Sequence, residues 1–348
     1  MFSRRAHWSA PPNRLSIARA QHRGPLLDLT NSNPTRAGLD YPLDELADAM
    51  ARAARAAYEP EPLGLPSARE AVAQHLGCDA SEIAITASTS EAYSFLFKLL
   101  CDPGDAIATA VPSYPLLEHL AALELIELRH FPMEFHKRWE LDAARVPAAK
   151  ALVVVNPNNP TGSYVHERLD VAVPIISDEV FHDYAFADPA PSFGTFRLGG
   201  LSKSCGLPHY KLGWIRTSDR EAMQALELIA DNFLSVATPV QAALPELLRL
   251  GARIRASIRE RTRASLDALR RTLAAKPHAQ LLDPEGGWTA VVRMPATTTD
   301  EDFALDALER HGVLVQPGYF FDFERDGYFV VSLLTDPEIL REGIERIT

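Results

Sequence analysis

The run Ala151-Leu152-Val153-Val154-Val155-Asn156-Pro157-Asn158-Asn159-Pro160-Thr161-Gly162 decides the architecture. Five apolar, mostly β-branched residues read as a buried strand. Two prolines and a glycine directly after it force a sharp, rigid turn, and such a turn holds an Asn side chain in a fixed direction toward a ligand. Working outward, further β-rich runs fall at 83–86, 106–110, 174–177 and 212–215, with helix-period stretches such as 92–100 and 115–125 between several of them. Strands alternating with helices predict parallel βαβ units and a doubly wound α/β sheet. Beyond about Ala222 the order changes. Helical stretches at 221–231, 240–250 and 254–275 precede strand-like runs at 288–293 and 328–334, which reads as a smaller α+β domain packed on the main sheet. The expected division is an N-terminal arm over 1–40 that joins the small domain, a large domain over 41–221 and a C-terminal small domain over 222–348.

Composition sets the class. With 348 residues, 47% of them hydrophobic and 23% charged, the chain is an ordinary globular protein with room for two cores. It contains no run of about 18 uncharged apolar residues, so no membrane span is expected. A net charge of −11 argues against a nucleic-acid partner, which needs a basic face. Cys78, Cys101 and Cys205 are odd in number and widely spaced, giving neither a disulfide framework nor a zinc pattern. No metal is expected, and the location expected is the cytoplasm. Residues 1–27 carry five arginines and no acid, like a transit peptide, but they have few serines and several prolines. A structural arm is the expectation there.

In open parallel sheets ligands sit beyond the carboxyl ends of the strands. Four strand ends here carry polar groups. Thr86-Ala87-Ser88-Thr89-Ser90-Glu91-Ala92 opens a helix whose free N–H groups make an anion site, although a plain N-cap looks the same. The second end is the Asn156–Gly162 turn. The third is Ile175-Ile176-Ser177-Asp178-Glu179-Val180, where a carboxylate at a buried strand end demands a cation or hydrogen-bond donor. The fourth is Gly199-Gly200-Leu201-Ser202-Lys203-Ser204-Cys205-Gly206-Leu207-Pro208, followed by Lys211-Leu212-Gly213-Trp214. Small neighbours keep the Lys203 amine near a ligand, and a desolvated lysine loses basicity and forms Schiff bases with carbonyls.

These four segments, in this order, resemble the fold-type I aminotransferases that depend on pyridoxal 5′-phosphate (PLP), over about residues 25–332. The resemblance implies a mostly parallel, seven-stranded-type sheet in the large domain. It implies transfer of an amino group between an amino acid and a keto acid, with Lys203 holding PLP as a Schiff base and then moving the proton. Asp178 would keep the pyridine nitrogen protonated, and Asn159 would bond the phenolic oxygen. Tyr114 would stack on the ring, while Thr89, Ser90, Ser202 and Lys211 would cradle the phosphate. Tyr58 matches the tyrosine that reaches the partner subunit's phosphate, which implies a homodimer with shared sites.

Four departures stand out. Phe181 replaces the usual tyrosine three residues after the aspartate, and Lys211 replaces the common phosphate arginine. Val330 stands where members acting on α-amino acids carry the arginine that clamps the substrate carboxylate. Arg36, in Asn31-Ser32-Asn33-Pro34-Thr35-Arg36, is the first candidate to replace it and Arg293 the second; Asn33 is expected at the substrate with Arg36. The crossover from Asn159 to Asp178 spans only nineteen positions, room for barely two helical turns, and the stretch from Asp178 to Lys203 is also compact. Either shortening threatens to expose one face of the sheet. The same scaffold supports lyase or decarboxylase chemistry, which is the alternative. A regulator's effector domain is disfavoured because the residues ahead of Pro25 are too few for a DNA-binding domain. Trp288 and the cluster Tyr319, Phe320, Phe321 and Phe323 line either a substrate pocket or the small-domain core.

Overall fold

The structure, a computed structural model, describes residues 3, 5 and 11–348. Seven strands form the main sheet: β1 (Ile83–Thr86), β2 (Ala106–Val111), β3 (Glu127–Pro132), β4 (Ala151–Val155), β5 (Ile175–Asp178), β6 (Phe196–Gly200) and β7 (Gly213–Arg216). Their order is β1-β7-β6-β5-β4-β2-β3. Strands β6 to β3 run parallel, and β7 is antiparallel to both its neighbours. Register aligns the ends that carry chemistry: Val155 lies beside Asp178, and Asp178 beside Leu198. The polar turns therefore leave the sheet along one edge, as the strand-end argument requires.

One face of this sheet is covered by helices α4 (Thr89–Leu100), α5 (Leu116–Leu123) and α6 (Arg220–Asp231), which join Ile107, Val153, Ile176 and Leu198 in one core. The expected start of the small domain at 222 falls inside α6, and its buried Met223, Leu226 and Ala230 belong to this large-domain core. The two helical stretches expected at 240–250 and 254–275 form one helix, α7 (Thr238–Ala274), 37 residues long. At 1.5 Å per residue that is about 55 Å, long enough to serve both domains. Its first half buries Leu244, Leu247, Ile254 and Ile258 against α3 (Pro66–Leu76) and the β1 and β7 edge of the sheet. Its second half buries Leu266, Leu269 and Leu273 in the small-domain core. That core includes an antiparallel sheet in the order β8 (Gln280–Leu282), β9 (Thr289–Arg293), β11 (Tyr328–Ser332) and β10 (Gln316–Pro317). The N-terminal segment packs on this core through Leu15 and Leu29. Its helix α1 (Arg14–Gln21) pairs Arg14 with Glu301 and Asp302 at the start of α8 (Asp300–His311); residues 1, 2, 4 and 6–10 of the arm lie outside the described residues.

The short crossover from Asn159 to Asp178 forms no helix at all. It crosses the second face of the sheet as irregular chain, with Val165, Leu169, Val171 and Val173 packed in a core that contains Leu152 and Val154 of β4. The small sheet contributes Val291 and Val330 to the same core. The bare face expected from the shortening is thus covered there, partly by loop side chains and partly by the second domain.

Gly251 marks the tightest crossing between α7 and the site. A Cβ at this position would lie 2.5 Å from the Cβ and Sγ of Cys205, itself buried on the turn that follows Lys203. Gly251→Ala should therefore lower unfolding stability by about 1–3 kcal/mol, the usual cost of overpacking. Urea denaturation of the variant with an unchanged midpoint would show that the crossing is looser than this.

Candidate active site

The turn after β4 separates three asparagines by task. Asn156 Oδ1 accepts from the Val165 N–H, and Asn158 Oδ1 accepts from the hydroxyl and N–H of Thr161. Both side chains hold the turn together. Asn159 makes no side-chain hydrogen bond among the described residues; its Oδ1 is buried and unpartnered, and the residue lies on the wall of a cavity of about 300 Å³. Gly162 docks the turn on the small domain: its carbonyl accepts from the N–H groups of Glu285 and Gly286, and a Cβ here would meet the Gly286 carbonyl at 2.5 Å.

Asp178 ends β5 on the same wall, only 8% exposed. Burial pushes its carboxyl up to about 6. Two donors oppose that shift: the Tyr93 hydroxyl, 2.8 Å from Oδ2, and the Val180 N–H, 3.2 Å from Oδ1. Lys203 follows β6 on a single helical turn, Leu201–Ser204. Burial lowers the Lys203 ammonium from its ordinary value, with Asp178 partly restoring it. The amine lies 5.3 Å from the Trp288 ring centre and 5.8 Å from that of Phe181, so two aromatic walls replace much of its water. Tyr184 fixes the turn by donating to the Lys203 carbonyl at 2.6 Å.

The N-terminus of α4 lines the same cavity. Ser88 caps it, accepting from the Glu91 N–H. Among the described residues the N–H groups of Thr89 and Ser90 donate to nothing, so they remain for an anion. Ser202, Lys211 and Tyr114 line the same cavity, Tyr114 roughly half exposed.

The fold thus gathers Thr89, Ser90, Tyr114, Asn159, Asp178, Ser202, Lys203, Lys211 and Trp288 around one space. It does not bring Asn33 or Arg36 to that wall. The Asn33 side-chain Oδ1 accepts from the N–H and hydroxyl of Thr35, and Arg36 is exposed on the 3-10 turn Pro34–Arg36. Arg293 points away, bonded to Gln280. Tyr58 lines a separate cleft with Phe95 and Leu234. No arginine lines the cavity among the described residues. Of the aromatic cluster, Phe321 is core, while Tyr319 is exposed. Sequence reasoning missed Ser32 and Thr289, which touch the cavity from the small domain, and Tyr93, which stands one helical turn after Thr89. That spacing was the available signal for Tyr93.

Residues 25–347 match the family described as aminotransferase class I and II. The chain belongs to that family. It is 28% identical to nicotianamine aminotransferase 1 of Oryza sativa subsp. japonica, over 93% of this chain and 74% of that one. It is 27% identical to human tyrosine aminotransferase, over 92% and 80%. An aspartate aminotransferase double mutant of Thermus thermophilus superposes with a TM-score of 0.87 at 23% identity, covering 99% and 98% of the two chains, and shares the fold. The enzyme is an aminotransferase and PLP is its cofactor; the lyase alternative is not favoured. The cavity fits that cofactor. It offers unused N–H donors for a phosphate, a buried carboxylate for a ring nitrogen, an orphaned Asn amide and a desolvated amine.

The buried carboxylate has a stability signature in protein freed of cofactor. Its folded value of about 6 lies above the ordinary carboxylate value of 3.8. The folded state therefore binds a proton that the unfolded state releases between these values, so stability falls as pH rises from about 4 to 6. Asp178→Asn should then be more stable than the parent at pH 7.5 by about 2–3 kcal/mol. The gap should close below about pH 4. Urea unfolding across that range checks it; a constant gap would assign the difference to packing.

Proposed function

We propose that Lys203 carries PLP and moves the proton during amino-group exchange between an amino acid and a keto acid. The observation that carries this reading is that Lys203, Asp178 and the open N-terminus of α4 line one cavity. PLP supplies an aldehyde that captures the amino donor and a ring that withdraws electrons from the bond to be broken. The chain supplies the rest. Thr89, Ser90, Ser202 and Lys211 hold the phosphate, the lysine acting as a point charge. Asp178 keeps the ring nitrogen protonated, and a pyridinium in turn offsets the cost of its burial. Asn159 donates to the phenolic oxygen, and Tyr114 stacks on the ring. Phe181, which has no hydroxyl, leaves that oxygen one donor poorer. Lys203, shed of water by Trp288 and Phe181, reaches its neutral form more easily and so serves as nucleophile and then as base.

Assembly as a homodimer in the cytoplasm completes the reading. Tyr58 is 69% exposed and sits away from its own chain's cavity, beside Phe95 and Leu234, with Phe233 52% exposed nearby. A second copy would cover this apolar patch and receive the Tyr58 hydroxyl at its phosphate. Among the described residues no helix is long and apolar enough to cross a membrane.

Borohydride reduction of the holoenzyme should fix the cofactor to Lys203, as read by peptide mass. Lys203→Ala should keep phosphate-mediated PLP binding while losing turnover by several orders of magnitude. An adduct on Lys211 would overturn the assignment. For the dimer, mixing inactive Tyr58→Phe and Lys203→Ala proteins should regenerate sites that carry neither change. Sedimentation as an active monomer would contradict shared sites.

A further inference from the structure

Helix α4 does more than present its N-terminus. Thr89, Ser90 and Tyr93 all line the cavity, and three- and four-residue spacing places them on one face of the helix. From Thr89 to Tyr93 the helix rises about 6 Å. One rigid element therefore carries both the free N–H groups that line the cavity and, one turn on, the Tyr93 hydroxyl that meets Asp178.

Tyr93 is 4% exposed, and its ring tilts against Phe97 at 5.8 Å between centres. A phenylalanine would fill that volume equally well. What the hydroxyl adds is a single hydrogen bond, 2.8 Å to Asp178 Oδ2, with no other partner among the described residues. With the phenol as donor the carboxylate is the acceptor, an arrangement that favours its ionised form. Together with the Val180 N–H on Oδ1, the phenol also fixes how the carboxylate is turned.

We propose that Tyr93 is a positioning residue that holds Asp178 ionised and in one orientation for the cofactor's ring nitrogen. The proposal rests on the reading of the cavity as the PLP site. The other charged and titratable groups that bear on Asp178 are Glu179, which disfavours its charge, Lys203, which favours it, and Tyr114 across the cavity. Losing the Tyr93 donor leaves burial and Glu179 less opposed, so the Asp178 carboxyl rises further from its ordinary value. Protonated PLP needs the ionised carboxylate, so the acid limb of PLP binding moves to higher pH.

The test uses protein freed of cofactor, the Tyr93→Phe variant, and two ligands: PLP and its analogue with carbon in place of the ring nitrogen. Equilibrium binding at pH 7.5 should show about a tenfold loss for PLP, on the scale of one charge-assisted hydrogen bond. The analogue, which asks nothing of Asp178, should change by less than about twofold. The pH below which PLP binding weakens should move up in the variant. Equal losses for both ligands, or no loss for either, would overturn the proposal and make Tyr93 a packing residue. A wild-type protein that binds both ligands alike would also overturn it, while leaving the cofactor site itself intact.

Discussion

Asp178 is the constraint around which the site is organised. A carboxylate with 8% of its surface exposed costs several kcal/mol unless donors or a cation meet it. The fold brings a phenol from α4, an N–H from Val180 and the more distant Lys203 amine. These leave its carboxyl at about 6, still above the ordinary value. The shortfall is where function enters. On the proposed reading a protonated ring nitrogen is the missing partner, so that cofactor binding and relief of a buried charge would be the same event. Lys203 shares the arrangement from the other side: burial that disfavours its charge is what makes the amine reactive.

Much of this was legible in the chain because each chemical residue follows its strand directly. An apolar run, a turn rich in proline or glycine and one polar residue are local signals. The strands at 83–86 and 151–155 match the observed β1 and β4 at both ends. Strand β6 was hidden because Phe196–Gly200 ends in two glycines that read as loop. The structure explains them. A Cβ at Gly199 would strike the Trp214 indole at 2.5 Å, so the neighbouring strand supplies the side chain that β6 lacks. Edge strand β3 was hidden for the opposite reason: Glu127, Arg129 and His130 give it a polar surface. Tyr93 was passed over, although its spacing from Thr89 was a signal, because an aromatic residue at helical spacing also reads as core, and it is core apart from one oxygen.

The shortened crossover could not be resolved from sequence either, because what covers a sheet face is decided by distant residues. Nineteen positions between Asn159 and Asp178 were expected to leave room for a little helix or a bare face. Instead the loop lays Leu169 and its neighbours on β4, and the small sheet brings Val291 and Val330 to the same core. This bears on Val330 as much as on the loop. Its side chain is wholly buried and packed with Val154, Leu282 and Val291, so an arginine there would have to place its charge within an apolar core.

The two cores are consequently tied closely to one another. Helix α7 runs through both cores. Gly251 lets that helix pass against Cys205, two residues from Lys203, and Arg255 on the same helix pairs with Asp183 at 3.0 Å. On the other side the Gly162 carbonyl holds the loop that leads into Trp288 and Thr289. Thr289 in turn donates to the Pro160 carbonyl, next to Asn159. Asn159 and Lys203 therefore each have a small-sheet or α7 contact within a few residues. A displacement of the small sheet by even a side chain's width would be felt at both Asn159 and Lys203. Close packing without intervening helix makes the site's geometry depend on the interface between the domains as much as on the strand ends that carry it.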